Sequence, residues 1–316
     1  MLNSKEITVE VTNLCGSRCF SCPRETFTEP LRHMEMDLFK KIIDDAAANG
    51  YNSLDTCGFG DPLLDPLLRE RFEYVKENYP QMSIYTSTTC AKLNEKTLPW
   101  IVDTVDTLKI SLFATSGPTY KKMHGAYEYE KVVENIRSLV EAKAKHGNPY
   151  LIGLFLLSKD NEHEKNTWLD LWENKFDEVM VWKPHNWVEG REYRDATVKR
   201  RSCGRPEDGN LTVGVDGRVS ICCFDYNKTV TLGDLKSESI EHVKTESKLL
   251  KEFQRAHETL DFANFDDLCK NCDQTFVGYD DTLVYASSEK RKVGAGTTHA
   301  NLPVDMLREQ RNKINQ

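Results

Sequence analysis

Ten cysteines stand in the chain, and most fall into two groups. Cys15, Cys19 and Cys22 form a C-x3-C-x2-C run near the amino terminus. Three thiolates in one short loop suit three irons of a [4Fe–4S] cube and leave the fourth iron open, thiolates being the usual protein ligands of such clusters. Zinc is the other reading. A closed zinc site takes four ligands, commonly a C-x2-C pair with a distant partner pair, and no histidine lies near this loop in the sequence. The second group is Cys203, the adjacent Cys222 and Cys223, and Cys269 with Cys272. That is five thiols for a closed site that takes four. Here too a zinc ribbon is an alternative to a cluster. Successive side chains on a strand point to opposite faces, so Cys222 and Cys223 are not both expected on one cube. The spare thiol is either a small buried apolar residue or, beside a metal site, a hydrogen-atom donor with a weak S–H bond.

Short β-rich runs alternate with helical patterns through the first two thirds of the chain. Strands are predicted at Ile7–Val11, Leu54–Cys57, Met82–Thr86, Thr107–Phe113, Tyr150–Leu157 and Glu178–Trp182. Helices are predicted at Asp37–Ala48, Leu67–Asn78, Glu95–Val102, Tyr129–His146 and Lys165–Lys175. Such alternation implies parallel strands with right-handed crossovers, and parallel barrels place their chemistry at the carboxyl ends of strands. The fold class is α/β: a partial (β/α)6 TIM-like barrel over residues 1–199, followed by a small α+β unit over 200–276. Within that unit Asp216-Gly217 joins two β-rich runs, a hairpin signal, and a helix is predicted at Ser239–Glu258. Residues 277–316 form a polar tail of uncertain order.

The formal net charge is −8, which argues against nucleic acid as a partner, because phosphate binding needs clustered Lys and Arg. The one basic run, Lys199-Arg200-Arg201 near Arg194 and Arg205, reads as a solvated linker, with capture of an acidic substrate as the sharper option. No stretch has the length of apolar sequence a membrane span needs. The amino terminus lacks an apolar signal core, so the expected location is cytoplasmic. Thiols stay reduced there, which favours metal or catalysis over disulfides.

With its cysteine loop after the first strand, the chain resembles the radical S-adenosylmethionine (SAM) superfamily over about residues 5–185. The resemblance implies that the open iron binds SAM and that reductive cleavage yields a 5′-deoxyadenosyl radical. Gly58-Phe59-Gly60-Asp61-Pro62 stands where the family has a GGEP-like loop touching the SAM amino group, with Asp61 in place of Glu. Thr86 and Ser87 stand in the family's T-N-G stretch, and Ser111 on the fourth strand. The family's aromatic residue before the third cysteine is Ser21 here, with Phe20 one place earlier. SAM contacts are thus expected from Phe20, Gly58, Phe59, Gly60, Asp61, Thr86, Ser87 and Ser111. Cys57 and Cys90 are read as core or SAM-side packing.

The later cysteines, with Leu232-Gly233-Asp234 between them, resemble the SPASM/twitch auxiliary-cluster domain. In twitch-type relatives the ligand precedes an acidic residue by three positions and an Asn by five. Asp225 and Asn227 therefore imply Cys203, Cys222, Cys269 and Cys272 as ligands of a second [4Fe–4S] cluster, with Cys223 spare. The whole looks most like radical SAM epimerases of ribosomally made peptides, of the EpeE/YydG type. That resemblance implies a short ribosomal precursor peptide as substrate and Cys223 as hydrogen donor. It also implies a low-potential flavodoxin- or ferredoxin-type electron donor. His185, Trp187 and Tyr193, after the sixth strand, read either as ordinary loop packing or as the lining of a peptide channel. No separate leader-binding domain is expected ahead of Cys15. The alternative is a radical SAM dehydrogenase or epimerase acting on an aminocyclitol or aminoglycoside.

Overall fold

The computed structural model describes residues 5–188, 199–265, 268–276 and 282–287. Six parallel strands carry the barrel: β1 (Glu6–Val9), β2 (Ser53–Asp55), β3 (Ser83–Thr88), β4 (Thr107–Ser111), β5 (Tyr150–Leu156) and β6 (Glu178–Trp182). Helices α1 (Met36–Ala48), α2 (Leu68–Asn78), α3 (Leu98–Thr104), α4 (Gly117–His124), α5 (Tyr129–His146) and α6 (Lys165–Trp172) return the chain between them. Period-two alternation sorts each strand. Ile7, Val9, Leu54, Ile84, Leu108 and Val179 pack outward in the main core. Tyr85, Ile152, Leu154 and Met180 form a separate cluster with Phe113, Met123 and Tyr150. The outward set is the apolar driving force for covering a parallel sheet with helices.

Past the barrel come α7 (Arg205–Asp208), β7 (Leu211–Val213), β8 (Arg218–Ser220), β9 (Thr231–Asp234), α8 (Ile240–Glu246) and α9 (Lys248–Thr259). β7 pairs parallel with β1 while β8 and β9 continue antiparallel, so one sheet runs β10-β6-β5-β4-β3-β2-β1-β7-β8-β9. The hairpin forms at the expected place, closed by Gly214 N–H to Arg218 O, with Gly217 at φ +85°. The last strand, β10 (Thr282–Ser287), pairs antiparallel with β6.

Four expectations need correction. Helix α4 was not anticipated; its signals are local, Ser116 accepting from Thr119 N–H at the start and Gly125 in the left-handed region at the end. The single helix expected over 239–258 is two, because Ser247 ends α8 and its hydroxyl caps α9 at Leu250 N–H. A strand, β10, lies in the segment expected to be an uncertain tail. Lys199–Arg201 is not simply a solvated linker: Arg200 donates to Thr275 Oγ1 and Lys270 O, each at 2.8 Å, and covers Phe276 at 3.7 Å. Arg201 donates to Thr275 O and Gln274 O. Both arginines serve carbonyls of the loop that carries Cys269 and Cys272. Arg194 and Tyr193 lie outside the described residues. No helix among the described residues is long and apolar enough to cross a membrane.

Candidate functional site

The first cysteine loop follows β1 and is held from below by the end of α4. Arg18 N–H donates to His124 O at 2.7 Å and Phe20 N–H to Met123 O at 3.0 Å, while Cys22 N–H closes a turn onto Cys19 O. A Cβ on Gly16 would fall onto the Tyr127 hydroxyl, so any larger residue there requires that ring to shift. Burial pushes the Cys15 and Cys19 thiols up, and at Cys19 the next causes are Cys15 and Cys22. The three sulfurs therefore face a common space. Buried thiols that resist ionisation in the bare protein, grouped on one loop, fit a metal that takes them as thiolates. Among the described residues no His, Cys, Asp or Glu trio closes around one ion; a four-iron cube holds its ligands further apart than a single ion does.

Space reverses what sequence distance suggested about histidine. His124 Nδ1 is 3.5 Å from Cys19 Sγ, across 105 residues of sequence. Its Nε2 accepts Phe113 N–H at 3.1 Å, so the neutral ring carries its proton on Nδ1 and donates to the sulfur. The ring is wholly buried and stacked between Phe113 and Tyr120, each 4.5 Å away at 23°. Burial pulls its pKa down to about 3.

Gly58–Asp61 follows β2 and leans on the cysteine loop. Asp61 N–H donates to Leu14 O, and a Cβ on Gly60 would strike the Thr12 and Leu14 carbonyls. The Asp61 carboxylate accepts from Thr88 Oγ1 at 2.9 and 3.0 Å, from Thr89 Oγ1 at 3.1 Å and from Leu63 N–H at 3.1 Å. It ties the loop to the end of β3. Phe20 reaches the inner cluster edge-on to Phe113. By strand alternation Ser87 shares a face with Tyr85, and Ser111 with the cavity-lining Lys109. Thr86 lies on the opposite face from Tyr85, its hydroxyl receiving Thr56 Oγ1 at 2.8 Å, and is not brought together with the others.

The second group gathers at the far side. Thr275 Oγ1 donates to both Cys269 O and Cys272 O, and Asn186 ties the same loop through Asp273 and Asn271 O. Burial pushes Cys222 well up and raises Cys269, with Cys272 pushed to about 12; Cys272 and Cys269 both act on Cys222, and Cys203 acts on Cys269 and Cys272. Cys223 acts on Cys222 as well, so five thiols share one neighbourhood, of which four would complete a closed cluster. Burial opposes charge on Arg205, yet Cys223, Cys203, Cys222 and Cys272 together hold its pKa above the usual range. Cys222 packs against the main core while Cys223 is exposed. Strand alternation does not govern the pair, because β8 ends at Ser220 and the two cysteines lie in the bend beyond it, both on the same cavity.

A cavity of about 350 Å³ has Glu10, Gly58, Phe59, His185, Trp187, Cys222 and Cys223 on its wall; Cys15, Cys19 and Cys22 do not line it. His185 packs 4.1 Å from the Phe224 ring, and Trp187 stands edge-on to Phe59. Cys57 also lines this cavity, beside Asp55 and Lys109; burial pushes its thiol well up and the Asp55 carboxyl to about 6. Cys90 is packed in the core.

Comparison with known proteins agrees with this layout. A family model described as the radical SAM superfamily matches residues 9–171, and one described as an iron-sulfur cluster-binding domain, SPASM, matches residues 203–273. No curated protein matches the chain. Among solved structures, BtrN in complex with AdoMet and 2-DOIA is similar at a TM-score of 0.59 and 17% identity, over 89% of this chain and 98% of that one. SuiB of Streptococcus suis bound to precursor peptide SuiA gives 0.61 and 11%, over 79% and 67%. Native anSMEcpe with bound AdoMet gives 0.64 and 13%, over 85% and 90%. At these identities the likeness is one of fold.

Proposed function

The chain belongs to the radical SAM superfamily, and on that premise we propose that it is an epimerase converting L- to D-residues in a ribosomally made peptide. One observation carries the reading: of two adjacent thiols that both line the cavity with Gly58 and Phe59, Cys222 is half-buried and packs against the core near Cys269 and Cys272, whereas Cys223 is exposed. Cys15, Cys19 and Cys22 would hold the cluster that binds SAM, and Cys203, Cys222, Cys269 and Cys272 an auxiliary one. When bound, the first cluster and SAM supply a 5′-deoxyadenosyl radical that takes a substrate hydrogen.

Cys223 then acts from the opposite side of a planar Cα radical. Its S–H bond breaks as the new Cα–H bond forms with inverted configuration, and the unpaired electron stays on sulfur. One electron and one proton, from an external low-potential donor, restore the thiol. No general base is needed, because hydrogen leaves and returns as an atom. His185 and Trp187 wall the cavity beside Phe224 and would orient the peptide. SuiB, a fold relative, is described with a bound precursor peptide, and a peptide of that kind is the substrate class proposed here.

A dehydrogenase acting on an aminocyclitol is the second reading, and BtrN with its bound 2-DOIA is the fold relative that favours it. It gives Cys223 no task. Reaction in D2O with synthetic peptides from short reading frames beside the gene separates the two. An epimerase using an exchangeable thiol places one deuterium at the inverted Cα. Loss of two hydrogens from the substrate, or inversion without deuterium, contradicts the proposal.

A further inference from the structure

Glu10 and Lys228 meet across the join between the barrel and the unit behind it, and neither has a role in the chemistry above. Lys228 Nζ stands 3.5 Å from Glu10 Oε2, with the two side chains only 6% and 5% exposed. Glu10 Oε1 in turn accepts Phe59 N–H at 2.5 Å. One buried acid therefore fixes a backbone amide at the centre of the loop assigned to SAM. A charge that deeply buried requires a partner, and Lys228 supplies it from the other unit.

The surrounding backbone is shaped for this contact. A Cβ on Gly58 would lie 2.5 Å from Glu10 Cγ and 2.7 Å from Oε1, and one on Gly214 would fall onto the Lys228 stem. Lys228 itself takes φ +52°, a left-handed conformation uncommon for a side-chain-bearing residue. It closes a turn that begins at Cys222: Asp225 N–H donates to Cys222 O at 3.1 Å, and Lys228 N–H to Asp225 O at 3.0 Å. The same turn grips the SAM-side loop through rings, Tyr226 stacking on Phe59 at 4.8 Å and 10°. It also grips the cysteine loop, through Tyr226 Oη to Thr26 Oγ1 at 2.7 Å and Asn227 Nδ2 to Thr26 O at 2.9 Å.

We propose that Lys228 is a positioning residue for SAM: acting through Glu10, it fixes the Gly58–Gly60 backbone, so that SAM affinity depends on the ordered turn running from Cys222 to Lys228. This goes beyond the epimerase reading, since it applies to SAM binding before any substrate enters. It rests only on the assignment of the Gly58–Asp61 loop to SAM.

The test is anaerobic calorimetric titration of SAM into the reconstituted enzyme without peptide, alongside iron analysis. K228M strands the Glu10 charge, and the dissociation constant for SAM is expected to rise about ten-fold at unchanged iron content. E10Q/K228M keeps an acceptor for the Phe59 amide without a buried charge, and is expected to return within about two-fold of wild type. K228R retains the charge and is expected to stay close to wild type. A merely structural lysine would lower stability in K228M without this pattern across the three variants. An unchanged SAM affinity in K228M, or equal weakening in the double variant, overturns the proposal. If K228M is too unstable to purify, G214A, which displaces the lysine stem, is read against the same two outcomes.

Discussion

Replacing His124 by Phe is the perturbation whose size follows most directly from the geometry of the site. The substitution keeps a flat ring between Phe113 and Tyr120 but removes the Nδ1 proton that reaches Cys19 Sγ at 3.5 Å. A hydrogen bond to a charged acceptor contributes about 1.5–3 kcal/mol, and a sulfur acceptor at this distance belongs at the weaker end. Only the part that differs between oxidation states moves the potential. Taking that difference as about 1 kcal/mol, and about 59 mV per tenfold for one electron, H124F lowers the midpoint of the SAM-binding cluster by roughly 40 mV. Because burial holds the His124 pKa down near 3, the ring stays neutral at working pH, and the difference is expected to be the same at pH 7 and pH 9. Anaerobic redox titration followed by electron paramagnetic resonance reads it. H124F also leaves Phe113 N–H without its acceptor, so a lower Tm accompanies the change and is not itself evidence. A midpoint equal to wild type, in a variant with full iron content, refutes the reasoning.

Two further outcomes follow from the far cluster. R205Q removes a positive charge that acts on Cys223, Cys203, Cys222 and Cys272, and is expected to make the auxiliary cluster harder to reduce while leaving the first cluster's potential unchanged; R205K is expected to retain most of the wild-type value. R200A loses two hydrogen bonds and a cation–ring contact to the loop bearing Cys269 and Cys272, and iron analysis after mild chelation is expected to show selective loss of the auxiliary cluster's iron.

Much of the fold was legible because local rules and tertiary demand agree. β6 and α5 fall at Glu178–Trp182 and Tyr129–His146 as read from the sequence, where a buried β-rich run and a long amphipathic period leave little choice. The first cysteine group was legible for a different reason: C-x3-C-x2-C is confined to one loop, so its chemistry needs no knowledge of the rest. What escaped depends on contacts between remote segments. His124 is invisible as a partner of Cys19 until α4 turns its last residue under the loop, and α4 itself is short and weakly apolar. Arg200 and Arg201 read as surface charge because their acceptors are carbonyls 70 or more residues away. Nothing in the sequence marks Glu10 for a role, and only the Lys228 contact shows what an acid does there. For the Cys222–Cys223 pair the strand argument does not apply, since both residues lie in the bend beyond β8.

The account stands most directly on Cys223. The decisive measurement follows C223A with SAM, a low-potential reductant and a substrate peptide, assaying 5′-deoxyadenosine and residue configuration together. Continued formation of 5′-deoxyadenosine with no D-residue, at full iron content, is the predicted result. A D-residue yield equal to that of the unaltered enzyme contradicts the account.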